Sequence, residues 1–376
     1  MDTPDVRQPT SVRFLPDPRR VLAKPFIPGE AHPASGTSRV AAVLDRIMRM
    51  PDDDVATTLS DVLDRFVDRH RDLDAVLAEN AARVAAHVGR PDLSTGLSPD
   101  RRRLIGAFFT HEYSIEAAAL GNPSIVAAPD QSGLGDGELR VVLSLRAIGE
   151  GHISSIEFRT GVVAADASVR IDATSGFVTT GTRAPHPFDK EFFVAKLDDL
   201  GVLNAIEERV LERLDDRFTM AELEAAISTL TDDGIEPSMS GETTRLLHWL
   251  ASSNYRTSFP PSVDLSERVL FPSGPTESHG MEDARFVRFT DDDGTCTYYA
   301  TYTAFDGQQI LPQLLETPDF TEFRVTTMSG RAARNKGIAL FPRRIDGRYF
   351  ALGRLDNVNN YVMSSDDVRV WQAATL

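Results

Sequence analysis

Two carboxylates and a guanidinium fall within four residues at Glu282-Asp283-Ala284-Arg285. They stand just ahead of an aromatic run, Tyr298-Tyr299-Ala300-Thr301-Tyr302-Thr303-Ala304-Phe305, that closes on Asp306. Fixed charges of both signs at the mouths of neighbouring strands can donate to and accept from a hydroxyl-rich or anionic ligand. A carbohydrate site is the expectation. Each residue also has a plainer use. Arg285 either meets the ligand or pairs with Glu282 or Asp283, and Asp306 either faces the ligand or caps the turn it forms with Gly307. Tyr302, Phe305 and Tyr361 form either a stacking floor for a sugar ring or part of the core. Asp291-Asp292-Asp293-Gly294 lacks the later ligands of a calcium loop and reads as a hairpin tip. His152 and His279 have no cysteine or histidine partner at ligand spacing, so no metal is expected.

The elements that must hold these side chains change period along the chain. Ser38 to Met50 and Asp54 to Val88 place Val40, Val43, Leu44 and Ile47, then Leu59, Val62, Leu63 and Phe66, at helical spacing. Ser98-Pro99-Asp100 starts a further helix, with Ser98 as its cap. Arg65, Arg69, His70 and Arg71 read as a solvated helix face. From about Asn122 the apolar residues alternate instead, giving short strands at Ser124–Val126, Arg140–Leu145, Ser155–Phe158 and Val169–Ile171. A helical stretch follows, from Asp189 to Leu230 and from Thr243 to Ser252. Strands resume at Ala284–Phe289, Tyr298–Ala304, Ile310–Leu315 and Phe323–Thr327, then at Gly337–Phe341, Tyr349–Gly353, Tyr361–Ser364 and Val368–Trp371. The expected domains are a helical extension over 1–117 and a β domain over 118–376, with a helical insertion at 187–255.

The last two strand sets repeat: Tyr298-Tyr299-Ala300 aligns with Arg348-Tyr349-Phe350, and Thr317-Pro318-Asp319-Phe320 with Ser365-Asp366-Asp367-Val368, each about 50 residues on. Four strands per period is the mark of a propeller blade, because a lone four-stranded sheet leaves its faces bare without stacked neighbours. The expected fold is therefore mainly β with helical additions: a partial propeller of about three blades. A closed ring needs at least four, so the chain is expected to be truncated or completed by another polypeptide.

Composition narrows the partners. With 40 basic against 56 acidic residues the net charge is −16, which opposes nucleic acid and anionic lipid and leaves a neutral polyol unaffected. The one cysteine, Cys296, excludes an intrachain disulfide; in an alternating strand it reads as a half-buried thiol rather than a nucleophile. Met1-Asp2-Thr3-Pro4-Asp5 has no basic or apolar leader, and no apolar run of about 18 residues occurs, so a cytoplasmic location without membrane contact is expected. Oligomeric state is left open.

These motifs, in this order, resemble glycoside hydrolase family 130, the β-mannoside phosphorylases and β-mannosidases that fold as five-bladed propellers. The resemblance runs from about Asn122 to Trp371, leaves out the helical insertion and lacks two blades. Asn122-Pro123-Ser124 is similar to the element opening blade one, and Leu143-Ser144-Leu145-Arg146 to a strand ending in arginine. Glu282-Asp283-Ala284-Arg285 is similar to Glu-Asp-Pro-Arg, and Tyr302-Thr303-Ala304-Phe305-Asp306 to Tyr-Thr-Ala-Tyr-Asp. Asn335-Lys336-Gly337-Ile338-Ala339-Leu340-Phe341-Pro342 is similar to Asn-Lys-Asp-Gly-Ala-Leu-Phe-Pro, and Arg354 falls at the arginine ending the next strand.

The resemblance implies an inverting glycosidase acting on a β-mannoside oligosaccharide, in which one carboxylic acid protonates the leaving oxygen while water or phosphate attacks the opposite face. The family's acid lies two or three residues beyond the arginine matched by Arg146, where this chain has Ile148 and Gly149. Glu150 is the nearest carboxylate and the expected acid; Glu157, facing cavity or solvent, and Glu112 or Glu116 are further candidates. Asp283 or Asp306 would activate water. Asn122, Arg146, Glu282, Arg285, Tyr302, Lys336 and Arg354 are the expected substrate contacts, although Lys336 also suits a solvated turn. Arg285 and Lys336 match phosphate-contacting positions, but a third falls near Leu311 or Pro312 and a fourth at Gly353. With half the anion site missing, hydrolysis is favoured over phosphorolysis. Inorganic phosphate is then a possible co-substrate and no cofactor is expected. The alternative from another class is an inactive propeller that binds a glycan or a partner.

Overall fold

The computed structural model describes residues 12–29, 38–230 and 237–376, with side chains described outside 231–240. The start of the chain and parts of the expected 1–117 and 187–255 segments lie outside the described residues. Among the described residues no helix is long and apolar enough to cross a membrane. Two compact units form, one from Asp17–Ala117 with Gly176–Val178, the other including Ala118–Ser175 and Thr179–Leu376.

The first unit packs helices Arg39–Arg49, Asp52–Phe66, Leu73–His87 and Pro99–Phe108 around Val40, Leu44, Ile47, Leu77, Val84, Leu104 and Phe109. Strand Val21–Pro25 pairs with Thr110–Ser114 beside them. Ser38 and Ser98 cap their helices by accepting from the amides of Ala41 and Arg101. Gly106 is required by a close approach: a Cβ there would lie 1.9 Å from the Leu77 carbonyl oxygen. The single helix expected from Asp54 to Val88 is two. It breaks at the 3₁₀ turn Val67–Arg69, and Asp72 then caps the next helix by accepting from Ala75 N–H. Of the basic cluster beside this break, Arg65 and Arg71 are exposed as a solvated face would have them, but Arg69 and His70 are not. Arg69 grips Glu112 with two 2.9 Å bonds, and His70 Nε2 lies 2.9 Å from the same carboxylate.

The second unit is mainly β with helices. Three four-stranded antiparallel meanders follow one another. The first is Ala119–Ala127, Leu139–Ile148, Ser154–Val163 and Val169–Ile171. The second is Gly280–Thr290, Cys296–Phe305, Ile310–Thr317 and Glu322–Thr327. The third is Ala339–Leu340, Tyr349–Gly353, Tyr361–Ser365 and Ala373–Thr375. Gly280 pairs in parallel with Ser154, joining the first two into one sheet, and Tyr255–Ser258 with Thr182–Pro185 extends the edge of the second. Among the described residues the strands close no barrel. Alternation puts Phe158, Phe286, Tyr298 and Phe323 into a shared core that the turn residue Phe320 joins, and Phe158 stacks on Phe323 at 5.6 Å. Between the first two meanders, helices Lys190–Asp199, Ala205–Leu211, Met220–Ser228 and Pro237–Ala251 bury Phe188, Phe193, Leu197, Val210 and Leu223 in a core of their own.

The last strand falls elsewhere than Val368–Trp371. Trp371 is fully buried, its indole N–H donates to the Val368 carbonyl at 2.8 Å, and its amide donates to Ser329. Filling the core with this ring bends the segment out of the sheet, and the edge passes to Ala373–Thr375.

Candidate active site

Arg146 stands near the end of its strand and reaches both acids of the Glu-Asp pair. Its Nη2 donates to Glu282 Oε1 at 2.7 Å, its Nη1 to Asp283 Oδ1 at 3.1 Å, and its Nε to Ser154 Oγ at 2.8 Å. Successive strand residues point to opposite faces, so one guanidinium meets both neighbours only if the strand is broken. A bulge between Glu282 and Arg285 does this, with Asp283 at φ +55°. Lys336 Nζ pairs with the other oxygen of Glu282 and lies 5.6 Å over the Phe305 ring. Glu282 therefore bridges two cations while only 7% exposed; the Lys336 side chain is 45% exposed, so the cluster is open on that side. Such charge-assisted bonds fix the orientation of the carboxylate.

Arg285 does not pair with Glu282 or Asp283. It lies exposed beside Gly337, whose absent Cβ would sit 3.5 Å from Arg285 Nη2 and 3.7 Å from Arg354 Cδ. Arg354 donates to the Asn357 carbonyl at 2.7 Å, and among the described residues neither arginine forms a salt bridge. Gly337 has φ +85°, a backbone conformation that glycine adopts without strain.

Other expected residues have different surroundings. Asn122 is exposed at a second bulge, between Gly121 and Ser124, with φ +47°. Its neighbour Ser124 accepts from the Phe286 amide at 2.9 Å and ties the first meander to the second. Glu150 is exposed on the short turn Glu150–His152 after the Arg146 strand. Asp306 Oδ1 accepts from the amides of Gln308 and Gln309 at 2.8 and 2.6 Å, the turn-capping alternative. Tyr302 is not a stacking floor. It is 3% exposed, and its hydroxyl donates to Glu277 at 2.5 Å. Tyr361 instead donates to Asp356 at 3.0 Å. Glu157 faces neither cavity nor solvent; it is buried 3.1 Å from Arg159. Glu112 and Glu116 belong to the helical unit, where Glu116 pairs with Arg20 at 2.7 Å. Asp291 opens the hairpin tip and pairs with Arg344 at 2.8 Å, and Cys296 is partly buried.

One cluster gave no signal in the spacing. Glu277, fully buried, accepts from Tyr302 and from Tyr255, the latter at 3.0 Å, and Arg183 lies 3.4 Å over the Tyr255 ring. Burial raises the Glu277 carboxyl above its ordinary range and pushes both tyrosines well above theirs. Ser273-Gly274-Pro275-Thr276-Glu277 reads locally as a polar loop; only tertiary packing makes it core.

No family model matches the chain. Over 107 residues, 27% of this chain and 28% of the relative, it is 30% identical to a β-1,2-mannobiose phosphorylase of Listeria innocua. Among solved structures, the β-1,2-mannobiose complex of a Listeria innocua β-1,2-mannobiose phosphorylase has 18% identity and a TM-score of 0.29, with 70% of this chain and 59% of that one covered. A structure from work on family 130 glycoside hydrolases that target β-1,2 mannosidic linkages in Candida mannan has 13% identity and a TM-score of 0.32, covering 70% and 51%. A Bacteroides ovatus glycosyl hydrolase has 13% identity and a TM-score of 0.31, covering 71% and 51%. The chain spans about half the length of the solved structures it matches.

Proposed function

We propose that this chain, a relative of glycoside hydrolase family 130, cleaves β-mannosides with the sugar held against Arg146, Glu282, Asp283 and Lys336. One observation carries the reading: the bulge that turns both acids onto one guanidinium. A non-glycine residue at positive φ costs about 1–3 kcal/mol and persists where the surroundings over-determine it. The resulting row of carboxylate acceptors and cationic donors suits the vicinal hydroxyls of a pyranose. On this reading the three meanders are three blades of a five-bladed propeller plan, and Glu150 is the acid that protonates the leaving oxygen. Asp283 orients the nucleophile on the opposite face.

Water is the nucleophile this chain favours, because Pro312 and Gly353 are uncharged where further phosphate contacts are expected. Phosphorolysis is the second reading, favoured by Arg285 and Arg354, two exposed guanidinium groups beside Gly337 without salt bridges among the described residues. Incubation with β-1,2-mannobiose, with and without inorganic phosphate, separates them. Free mannose alone identifies a hydrolase and mannose 1-phosphate a phosphorylase. Binding without turnover leaves a glycan-binding propeller, and neither binding nor turnover defeats the mannoside reading.

A further inference from the structure

We propose that a recess in the second unit, between the helical insertion and the second meander, binds a small molecule through a phosphate or carboxylate group. This proposal stands apart from the mannoside reading. The recess encloses about 140 Å³. With a water occupying roughly 30 Å³ in the liquid, that is room for a few waters or one small oxyanion. The chain carries a net charge of −16, yet this recess is lined by Lys196, Arg217, Arg324 and Arg369, with the carboxylates Asp189 and Glu316 on its wall, Asp189 also 3.3 Å from Arg217, and Asp367 against Arg369.

The carboxylates act as braces. Asp189 lies 2.8 Å from Arg369, Asp367 holds the other edge of the same guanidinium at 2.8 Å, and that plane lies 3.8 Å over the Phe192 ring. Glu316 pairs with Arg324. Guanidinium groups fixed in advance lose little freedom when an oxyanion arrives.

On the same wall one polar group is only partly paired and another has no partner. Lys196 is 5% exposed, and among the described residues its ammonium donates to a single acceptor, the Met328 carbonyl at 2.9 Å. An ammonium carries three donors, and burying one so incompletely paired is costly. His186 Nδ1 is buried with no hydrogen-bond partner. Burial pushes Lys196 down to about 8 and His186 down to about 4, with nearby arginines adding to the histidine's shift. An oxyanion in the recess would answer the unused lysine donors. The apolar side chain of Phe192 in the lining suits a planar or apolar body attached to it.

The chain has only four lysines, Lys24, Lys190, Lys196 and Lys336, so acetylation can be read residue by residue. The full chain is treated with limiting acetic anhydride near pH 8 and analysed by peptide mass spectrometry. Separate arms contain millimolar inorganic phosphate, phenyl phosphate or benzoate. Each occupying anion should slow Lys196 labelling by about five-fold or more and leave Lys24 unchanged. Phenyl phosphate outperforming phosphate assigns an apolar body, and benzoate outperforming both assigns a carboxylate. Arg324→Ala and Arg369→Ala should weaken the protection. Lys196 labelling unchanged by all three anions, or protection undiminished in both variants, overturns the proposal. Lys336 in the same spectra reports anions beside Arg285 and Arg354 independently. If Lys196 resists labelling in the free chain, thermal unfolding with phosphate decides: a larger rise for the native chain than for Lys196→Met supports the site, and equal rises overturn it.

Discussion

Glu277 and Glu282 lie five residues apart and meet opposite environments. Glu277 is sealed in the core, satisfied by two tyrosine hydroxyls and raised in pKa by burial. Glu282 is held between two cations, one of them substantially exposed. A neutral hydroxyl partner suits a carboxyl that the interior prefers protonated, whereas cation partners hold a carboxylate ready to meet polar ligands. The first lies in the core and the second joins a charged cluster that opens to solvent through Lys336. Residue type says nothing of this difference; partners and burial decide it.

The largest test of the contrast is Glu282→Ala, which leaves Arg146 and Lys336 without their shared partner. If Glu282 serves the site, kcat/KM on β-1,2-mannobiose should fall by at least about 100-fold while the unfolding free energy changes less than for Glu277→Ala. An equal loss of stability in both variants would make Glu282 structural too.

Glu277→Ala strands two buried hydroxyls and opens a void, and should cost about 3 kcal/mol in urea unfolding. Glu277→Gln should recover most of that. The folded pKa of Glu277 is raised, so its contribution is fully present below the ordinary glutamate value and is lost as pH rises through the folded one. The native chain should thus lose more stability than Glu277→Gln between acid and neutral pH; parallel profiles would contradict the buried carboxyl.

Asp306→Ala removes two turn bonds and should cost about 1 kcal/mol with turnover nearly intact. A collapse of turnover in a folded variant would restore Asp306 to the catalytic set. Arg285→Ala should change stability least, by about 0.5 kcal/mol or less, since the side chain is exposed and forms no salt bridge among the described residues. Its use is as a phosphate probe: any phosphate-dependent cleavage should weaken, and phosphate dependence surviving in full would remove Arg285 from the anion site.

The repeat was legible because each period reuses the same local chemistry. Tyr299 and Tyr349 both occupy second strands of their meanders. Thr317 Oγ1 accepts from the Asp319 amide at 3.4 Å and Ser365 Oγ from the Asp367 amide at 3.1 Å, so the two third strands end on a similar hydroxyl-capped turn. A further likeness emerges only from the backbone: Asn122, Asp283 and Asn335, each at or before the first strand of its meander, all adopt positive φ, from +47° to +62°. Asn and Asp tolerate that region better than other side chains, so the residue types permit it without revealing it.

Most strand positions, the helix cap at Ser98, the hairpin tip at Asp291 and the acid-rich mouth of the second meander were set by short-range pattern, because periodicity and turn chemistry act within a few residues. The pairing of Arg146, rather than Arg285, with Glu282 and Asp283 was decided only in three dimensions. So were the burial of Tyr302 and Glu277 and the displacement of the last strand by Trp371. Each depends on which distant segment fills the neighbouring space, and a bulge of one residue is enough to redirect a side chain from one partner to another.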